Sequence, residues 1–123
     1  MEQKRKAKKI LVVDDHVLVM RWLERALQMA GHQIHTAQSY QHAVNALSEV
    51  QFDLIITDIE LGNESGIDLI QQIDRETALF FMSGNPEYLQ RKELEAYPFF
   101  LKPFPVEALL RSVESSFLQI QDA

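Results

Sequence analysis

Short apolar runs alternate along the chain with segments in which apolar residues recur at helical spacing. The apolar runs predict five β-strands, at residues 10–13, 33–37, 54–57, 78–82 and 98–101. The other segments predict five helices, at residues 17–30, 39–50, 67–73, 86–96 and from 105 onward. Alternating strands and helices are typical of a parallel sheet with right-handed crossovers. The pattern therefore predicts a single-domain α/β fold, a five-stranded parallel sheet with helices on both faces and the more polar strand 33–37 near an edge.

Polar side chains follow four of the predicted strands, at the point where each apolar run ends. They are Asp14 and Asp15 after the first strand, Asp58 after the third, Ser83 after the fourth and Lys102 after the fifth. The carboxyl ends of parallel strands lie side by side, and ligands bind in the crevice beyond them. Three carboxylates, a hydroxyl and an ammonium are therefore expected to form one pocket. Such a pocket can hold a hard divalent cation and a phosphoryl group.

Length and composition agree with a small folded domain. The chain has 123 residues, of which 46% are hydrophobic, enough for one domain with a core. No apolar run approaches the roughly 20 residues of a membrane span, and the start lacks the apolar stretch of a signal peptide. Without cysteine there is no disulfide framework and no thiolate metal site. We therefore expect a cytoplasmic protein that does not contact a membrane.

Charge is distributed unevenly along the chain. The net charge is −6, yet the first nine residues contain Lys4, Arg5, Lys6, Lys8 and Lys9. The other 114 residues carry 7 Lys and Arg against 17 Asp and Glu, a net charge of −10. Because binding to nucleic acid requires clustered cations, the acidic body argues against direct nucleic acid binding by the domain. The basic start is either a solvated tail or an arm that docks on an acidic partner.

The four histidines, at positions 16, 32, 35 and 42, are scattered and do not form a metal-binding motif. His16 directly follows the acidic pair. We interpret it as a residue at the start of the first helix, beside the rim of the predicted pocket.

The ordered set of motifs resembles the receiver domain of response regulators, the phosphoacceptor module of two-component signalling. The resemblance rests on residues 10–15 (Ile-Leu-Val-Val-Asp-Asp), on Asp58 with Gly66 eight residues later, on Ser83, and on residues 102–104 (Lys-Pro-Phe). It extends from residue 10 to about residue 117 and implies a CheY-like, flavodoxin-like fold. The expected organisation is a basic tail at 1–9, a receiver domain at 10–119 and a C-terminal tail at 120–123.

The resemblance implies a phosphoacceptor and a Mg²⁺ site. Asp58 would accept a phosphoryl group from a phosphohistidine on a sensor histidine kinase or a phosphotransfer protein. Asp14, Asp15, Asp58 and the backbone carbonyl of Glu60 would hold the Mg²⁺ ion. Oxygen ligands of this kind suit Mg²⁺, which also keeps several waters.

The resemblance also implies a switch rather than an enzyme that acts on a free substrate. Lys102 would pair with a phosphoryl oxygen, and Ser83 would donate a hydrogen bond to the phosphoryl group once it arrives. Phe99 would move inward as the switch aromatic. The change would control a downstream effector or an output domain, and the last helix region is the expected surface of a homodimer.

Some features depart from the family pattern. Gly62 stands where the family usually has proline, and glycine there would loosen the loop beside the metal. Only 24 residues separate Asp58 from Ser83, and the segment from Ser83 to Lys102 is also short. The connection after the third helix and the region of the fourth helix are therefore expected to be abbreviated.

Two other functions fit parts of the pattern. A pseudo-receiver is a phosphorylation-independent interaction module with the same fold. Gly62 and the shortened helices favour it, whereas the complete acidic set and Lys102 argue against it. A flavin- or nucleotide-binding protein of the same fold class needs a phosphate-binding loop after the first strand. Here that loop begins with Asp14 and Asp15, which repel phosphate unless a cation is bound.

Overall fold

The protein was analysed as a computed structural model that describes residues 7–121. Seven strands are present in these residues: β1 (Lys9–Val13), β2 (Gln33–Ala37), β3 (Leu54–Asp58), β4 (Glu60–Leu61), β5 (Glu64–Ser65), β6 (Ala78–Ser83) and β7 (Phe99–Leu101). The α-helices are α1 (Val17–Met29), α2 (Tyr40–Glu49) and α3 (Val106–Gln121). Three 3-10 helices lie at Gly66–Gln72, Pro86–Gln90 and Lys92–Leu94. None of the helices in 7–121 is both long and apolar enough to cross a membrane.

Five strands form one parallel sheet in the order β2-β1-β3-β6-β7. β3 pairs with β1 on one side and with β6 on the other, so it lies at the centre, and all five of its residues are buried. β2 lies at one edge and has mostly exposed or half-buried residues, which explains its polar sequence. The predicted five-stranded parallel sheet is therefore confirmed, including the edge position of residues 33–37.

The sheet separates two hydrophobic cores because side chains alternate between its two faces. On one face Val12 and Ile56 pack with Leu23 of α1 and Leu109 of α3. On the other face Val13 and its neighbours pack against α2 and the first 3-10 helix, which contribute, among others, Ala43 and Leu69. Helices thus cover both faces, and the parallel strands are buried as continuous apolar runs.

Local signals set the ends of the first two helices. The Ser39 hydroxyl caps α2 by accepting a hydrogen bond of 3.1 Å from the backbone N–H of His42. Gly31, two residues after the end of α1, has a φ of +99°, a conformation that residues with a side chain rarely adopt. The chain can therefore reverse direction there and enter β2.

The third and fourth predicted helices, at 67–73 and 86–96, are present as short 3-10 helices. The third lies at Gly66–Gln72, and the fourth is divided into Pro86–Gln90 and Lys92–Leu94. The segment at 86–94 buries Leu94 alone, so it lacks the apolar stripe that stabilises an α-helix by packing. Between β3 and the first 3-10 helix, β4 and β5 form a small antiparallel hairpin in which Glu60 pairs with Ser65.

The basic start of the chain lies mostly outside the described residues, which begin at residue 7. Within the described part, Lys9 is already the first residue of β1. The Lys8 ammonium lies 4.8 Å from the centre of the Phe117 ring on α3. Residues 8 and 9 of the basic start therefore contact the folded domain, through the pairing and hydrogen bonds of β1 and through the last helix.

Candidate functional site

The carboxyl ends of β1 and β3 and the segment after β7 bring three charged side chains together. The Lys102 ammonium donates hydrogen bonds to Asp58 Oδ2 at 2.9 Å and to Asp14 Oδ2 at 3.1 Å. Lys102 and Asp14 are 88 positions apart in the sequence, so the parallel sheet creates this contact. The peptide bond from Lys102 to Pro103 is cis. The polar residues predicted at these strand ends therefore meet at one edge of the sheet.

Asp58 is a buried carboxylate with an unusual electrostatic environment. Burial raises the pKa of its carboxyl above the ordinary value of 3.8, and the nearby charge of Asp14 adds to the increase. The Lys102 ammonium and the backbone N–H of Glu60, which donates to Asp58 Oδ1 at 3.1 Å, oppose this increase without cancelling it. The carboxylate form is thus destabilised, as is common for functional groups.

The same surroundings favour the charged form of Lys102, whereas they disfavour the charged form of Asp58. Burial by itself would lower the pKa of its ammonium, but the hydrogen bonds and charges of Asp58 and Asp14 outweigh that effect. The pKa therefore lies above the ordinary value of 10.5, and Lys102 is a fixed positive charge at neutral pH.

Asp15 and His16 complete the acidic cluster at its exposed side. His16 Nδ1 lies 3.2 Å from Asp14 Oδ1, 3.2 Å from Asp15 Oδ1 and 4.0 Å from Asp58 Oδ2. His16 is the N-cap residue of α1, in agreement with its predicted position at the helix start. Its ring also contacts the carboxylates of the cluster, which the sequence analysis did not predict. Sequence reasoning underestimated this residue, although its position next to the acidic pair was the available signal.

Ser83, at the end of β6, is buried and already engaged. Its hydroxyl donates to Glu60 Oε1 at 3.3 Å and accepts a hydrogen bond of 3.0 Å from the backbone N–H of Asn85. The Ser83 carbonyl accepts a hydrogen bond of 2.8 Å from the Lys102 N–H, which ties the ends of β6 and β7 together. The Glu60 side chain therefore contacts the hydroxyl beside the acidic cluster.

Gly66 allows the backbone to pass close to Asp58. A β-carbon at Gly66 would overlap the Asp58 carbonyl oxygen and lie 2.8 Å from Thr57 Oγ1. The Gly66 N–H donates to the Ile59 carbonyl at 2.7 Å, so the chain returns directly onto the end of β3. Only glycine fits this approach without displacing backbone.

Phe99 and Phe100 lie on opposite faces of β7. Phe100 is buried in the core beneath α1 and α3, whereas Phe99 is half-buried on the other face. Phe99 lines a cavity of about 200 Å³ together with Tyr88, Leu94, Tyr97 and neighbouring residues. Space therefore exists beside this ring, outside the tightly packed part of the core.

The acidic cluster fits a divalent cation in its chemistry. Asp14, Asp15, His16 and Asp58 each offer one ligand atom, and these four atoms lie within 4.8 Å of one another. Asp14 and Asp58 are almost fully buried, so their charges need a cation besides the half-buried Lys102. The arrangement can therefore hold an oxygen-binding cation beside a carboxylate nucleophile.

The family of the chain follows from sequence comparison. The profile of the response regulator receiver domain matches residues 10–114, most of the chain. The chain therefore belongs to this family and is a CheY-like receiver domain of a two-component response regulator. This family explains the parallel sheet and the acidic residues at its carboxyl edge.

Individual relatives agree with the family match. The sensory transduction protein LytR of Staphylococcus epidermidis is 34% identical over 111 residues. The match covers 85% of this chain and 44% of LytR, so the chain spans less than half the length of that relative. The response regulator TrrA from Thermotoga maritima, solved in complex with Mg(2+)-BeF, is 27% identical with a TM-score of 0.81, over 88% of this chain and 97% of TrrA.

A further solved structure is a response regulator from Burkholderia pseudomallei with a phosphorylated aspartic acid, a calcium ion and citrate. It is 25% identical to this chain with a TM-score of 0.77, and the match covers 94% of this chain and 73% of that one.

Proposed function

We propose that the protein accepts a phosphoryl group on Asp58 from a histidine kinase or a phosphotransfer protein and changes conformation in response. The observation that carries this proposal is the buried Asp58 carboxylate at the end of the central strand, which the Lys102 ammonium bridges to Asp14. The two solved relatives, one with Mg(2+)-BeF and one with a phosphorylated aspartic acid, support the same reading.

The chemistry is a direct phosphoryl transfer. An Asp58 carboxylate oxygen attacks the phosphorus of the partner's phosphohistidine and forms an O–P bond. The N–P bond breaks, and its electron pair stays on the imidazole nitrogen of the partner. The product on this chain is an acyl phosphate. Such transfers depend on positioning and charge stabilisation more than on covalent assistance.

The charged residues supply that positioning. Lys102 is within hydrogen-bonding distance of Asp58, and its raised pKa keeps it available to pair with a phosphoryl oxygen. Asp14, Asp15, Asp58 and the Glu60 carbonyl would hold the Mg²⁺ ion. When bound, this ion offsets the repulsion between the carboxylates and the negative phosphoryl group.

Ser83 and Phe99 would turn the chemistry into a conformational change. Ser83 donates to Glu60 in this structure, so it must exchange that partner for a phosphoryl oxygen when Asp58 is modified. An exchange of this kind favours one of two positions of the loop after β6. Phe99 lines a cavity, so its ring has space to change position. In this role the protein is a switch that catalyses its own phosphorylation and slow dephosphorylation.

The functional unit would be the receiver domain at residues 10–119, flanked by the segments 1–9 and 120–123. We propose a sensor histidine kinase or phosphotransfer protein upstream and an effector or output domain downstream. The LytR relative extends well beyond the matched region, which supports an output domain in proteins of this kind. The last helix region would form any homodimer, and the domain itself would work in the cytoplasm without binding nucleic acid or membrane.

The test is the intact mass of the protein after incubation with Mg²⁺ and acetyl phosphate. We expect the wild type to gain one phosphoryl group and Asp58→Asn to gain none. The matched control is Asp68→Asn, which changes an exposed aspartate on the neighbouring 3-10 helix and should be labelled like the wild type.

A histidine kinase donor and beryllofluoride provide the second arm of the test. If the wild type gains no mass from either phosphoryl donor and binds no beryllofluoride, the proposal is wrong and the chain is an interaction module. If Asp58→Asn is labelled as fully as the wild type, the acceptor lies elsewhere.

A further inference from the structure

The His16 ring places its Nδ1 atom against the acidic cluster. About 69% of the side chain is exposed, yet Nδ1 lies 3.2 Å from one oxygen of Asp14 and from one oxygen of Asp15. The side chain makes no capping hydrogen bond to α1, so helix capping does not account for this orientation. The orientation brings a nitrogen donor into a site otherwise built of oxygen atoms.

The two oxygens of Asp14 have different partners. Oδ2 accepts a hydrogen bond from Lys102, whereas Oδ1 accepts one of 2.8 Å from the His16 backbone N–H and faces the His16 ring. Lys102 thus occupies one side of the buried carboxylates. On the other side, His16 Nδ1 lies within hydrogen-bonding distance of Asp14 Oδ1 and close to Asp15 Oδ1, so three possible ligand atoms face one another. The hydrogen bond from the His16 backbone N–H to Asp14 also fixes the position of the His16 backbone beside the cluster.

The spacing of these atoms matches the ligands of one metal ion. Two ligand atoms at about 2.1 Å from an ion and at right angles to each other are about 3 Å apart. The separations of His16 Nδ1 from Asp14 Oδ1 and from Asp15 Oδ1 are both 3.2 Å. Asp58 Oδ2 lies slightly farther away, at 4.0 Å. Small side-chain movements would therefore give one nitrogen and several oxygen ligands.

We propose that His16 is a direct metal ligand that shifts the selectivity of the site from Mg²⁺ toward transition metals such as Co²⁺ and Zn²⁺. Imidazole nitrogen suits these metals, whereas Mg²⁺ prefers oxygen ligands and retains its waters. The inference rests on the cation site of the proposed function, and it adds a ligand that sequence reasoning assigned to the start of the helix.

The experiment measures metal binding directly, without phosphorylation. Wild type, His16→Ala and the control His42→Ala are titrated calorimetrically with Mg²⁺, Co²⁺ and Zn²⁺ at one fixed pH. His42 is an exposed histidine in the first turn of α2, and His42→Ala should bind every ion like the wild type. His16→Ala should weaken Co²⁺ and Zn²⁺ binding on the order of tenfold and change Mg²⁺ binding by less than about threefold.

A spectroscopic measurement identifies the ligand. Zinc binding should shift the ring resonances of His16 in the wild type, and the visible absorption of bound Co²⁺ should change in His16→Ala. Equal losses for all three ions, or unchanged Co²⁺ and Zn²⁺ binding in His16→Ala, would overturn the inference. The proposed Mg²⁺ site would stand in either case as long as the wild type binds Mg²⁺. If the wild type fails to bind Mg²⁺ at all, the cation site of the proposed function fails first.

Discussion

At the scale of single residues, Glu60 combines two effects beside the proposed phosphoacceptor. Its backbone N–H supports Asp58, whereas its side-chain carboxylate holds the Ser83 hydroxyl. The backbone contact stabilises the charge of Asp58, but the side chain adds a negative charge where a phosphoryl group would arrive. Glu60 is therefore expected to slow labelling by small anionic donors.

Replacing Glu60 tests this charge effect. Glu60→Gln keeps a carbonyl oxygen that Ser83 can contact but removes the charge. One like charge near a surface site is worth about 1 kcal/mol, so labelling by acetyl phosphate should accelerate about fivefold. The measurement is the initial rate of mass gain. Glu64→Gln, an exposed charge on the same hairpin, is the control, and equal rates in Glu60→Gln and wild type would refute the idea.

At the scale of elements, the hairpin β4–β5 and the following 3-10 helix position the chain against the end of β3. Gly66 makes this possible because its missing β-carbon leaves room for the carbonyl of Asp58. The same hairpin carries Glu60, so the approach at Gly66 influences the geometry of the proposed site. The presence of glycine eight residues after Asp58 thus has a steric reason.

Gly66→Ala is expected to destabilise the fold. Its methyl group would collide with backbone, and overpacking of this kind costs about 1–3 kcal/mol in the free energy of unfolding. Gly84→Ala is the control because a β-carbon there meets no atom within 4 Å and the φ of Gly84 is not positive. Urea denaturation of both variants checks the prediction. A Gly66→Ala protein as stable as Gly84→Ala would show that the hairpin moves away at little cost.

At the scale of the whole molecule, the buried acidic cluster lowers the free energy of unfolding while it forms the proposed binding site. Because the pKa of Asp58 is raised in the folded state, the folded protein binds this proton more tightly than the unfolded chain does. The contribution of Asp58 to the free energy of unfolding therefore falls as the pH rises from 3.8 through the raised pKa. Above that pKa the contribution stays at its lower value.

Metal-free Asp58→Asn should consequently be more stable than the wild type at neutral pH, on the order of 1 kcal/mol. Mg²⁺ should reverse the order, since an ion at one hundred times its dissociation constant stabilises the folded protein by about 2.7 kcal/mol. Urea denaturation with a chelator and with Mg²⁺ measures both effects. Asp68→Asn should follow the wild type in each condition, and a less stable metal-free Asp58→Asn would contradict the argument.

Several features of the molecule could be read from the sequence. Alternating apolar runs and helical periodicities predicted the five parallel strands, because burial on both faces of a sheet produces continuous apolar runs. The positions of Asp14, Asp58, Ser83 and Lys102 at strand ends predicted one group of polar side chains. Lys102 contacts Asp14 and Asp58, whereas the Ser83 hydroxyl contacts Glu60. The roles assigned to them, including those of Asp15, the Glu60 carbonyl and Phe99, remain predictions that the experiments above address.

Other features depended on contacts between distant parts of the chain. The third and fourth predicted helices are 3-10 helices at Gly66–Gln72, Pro86–Gln90 and Lys92–Leu94, and apolar spacing over such short segments does not distinguish them from α-helices. The hydrogen bond from Ser83 to Glu60 joins residues 23 positions apart, and no local pattern specifies it. The His16 ring contacts its sequence neighbours Asp14 and Asp15, and its approach to Asp58 at 4.0 Å depends on the pairing of β1 with β3.

The sequence by itself therefore determined the order of the elements, the sheet and the edge at which polar side chains gather, because periodicity records burial residue by residue. The tertiary structure decided which atoms of that group touch one another. Distances of about 3 Å between side chains from separate strands depend on register, twist and packing, which arise only when the whole sheet has formed.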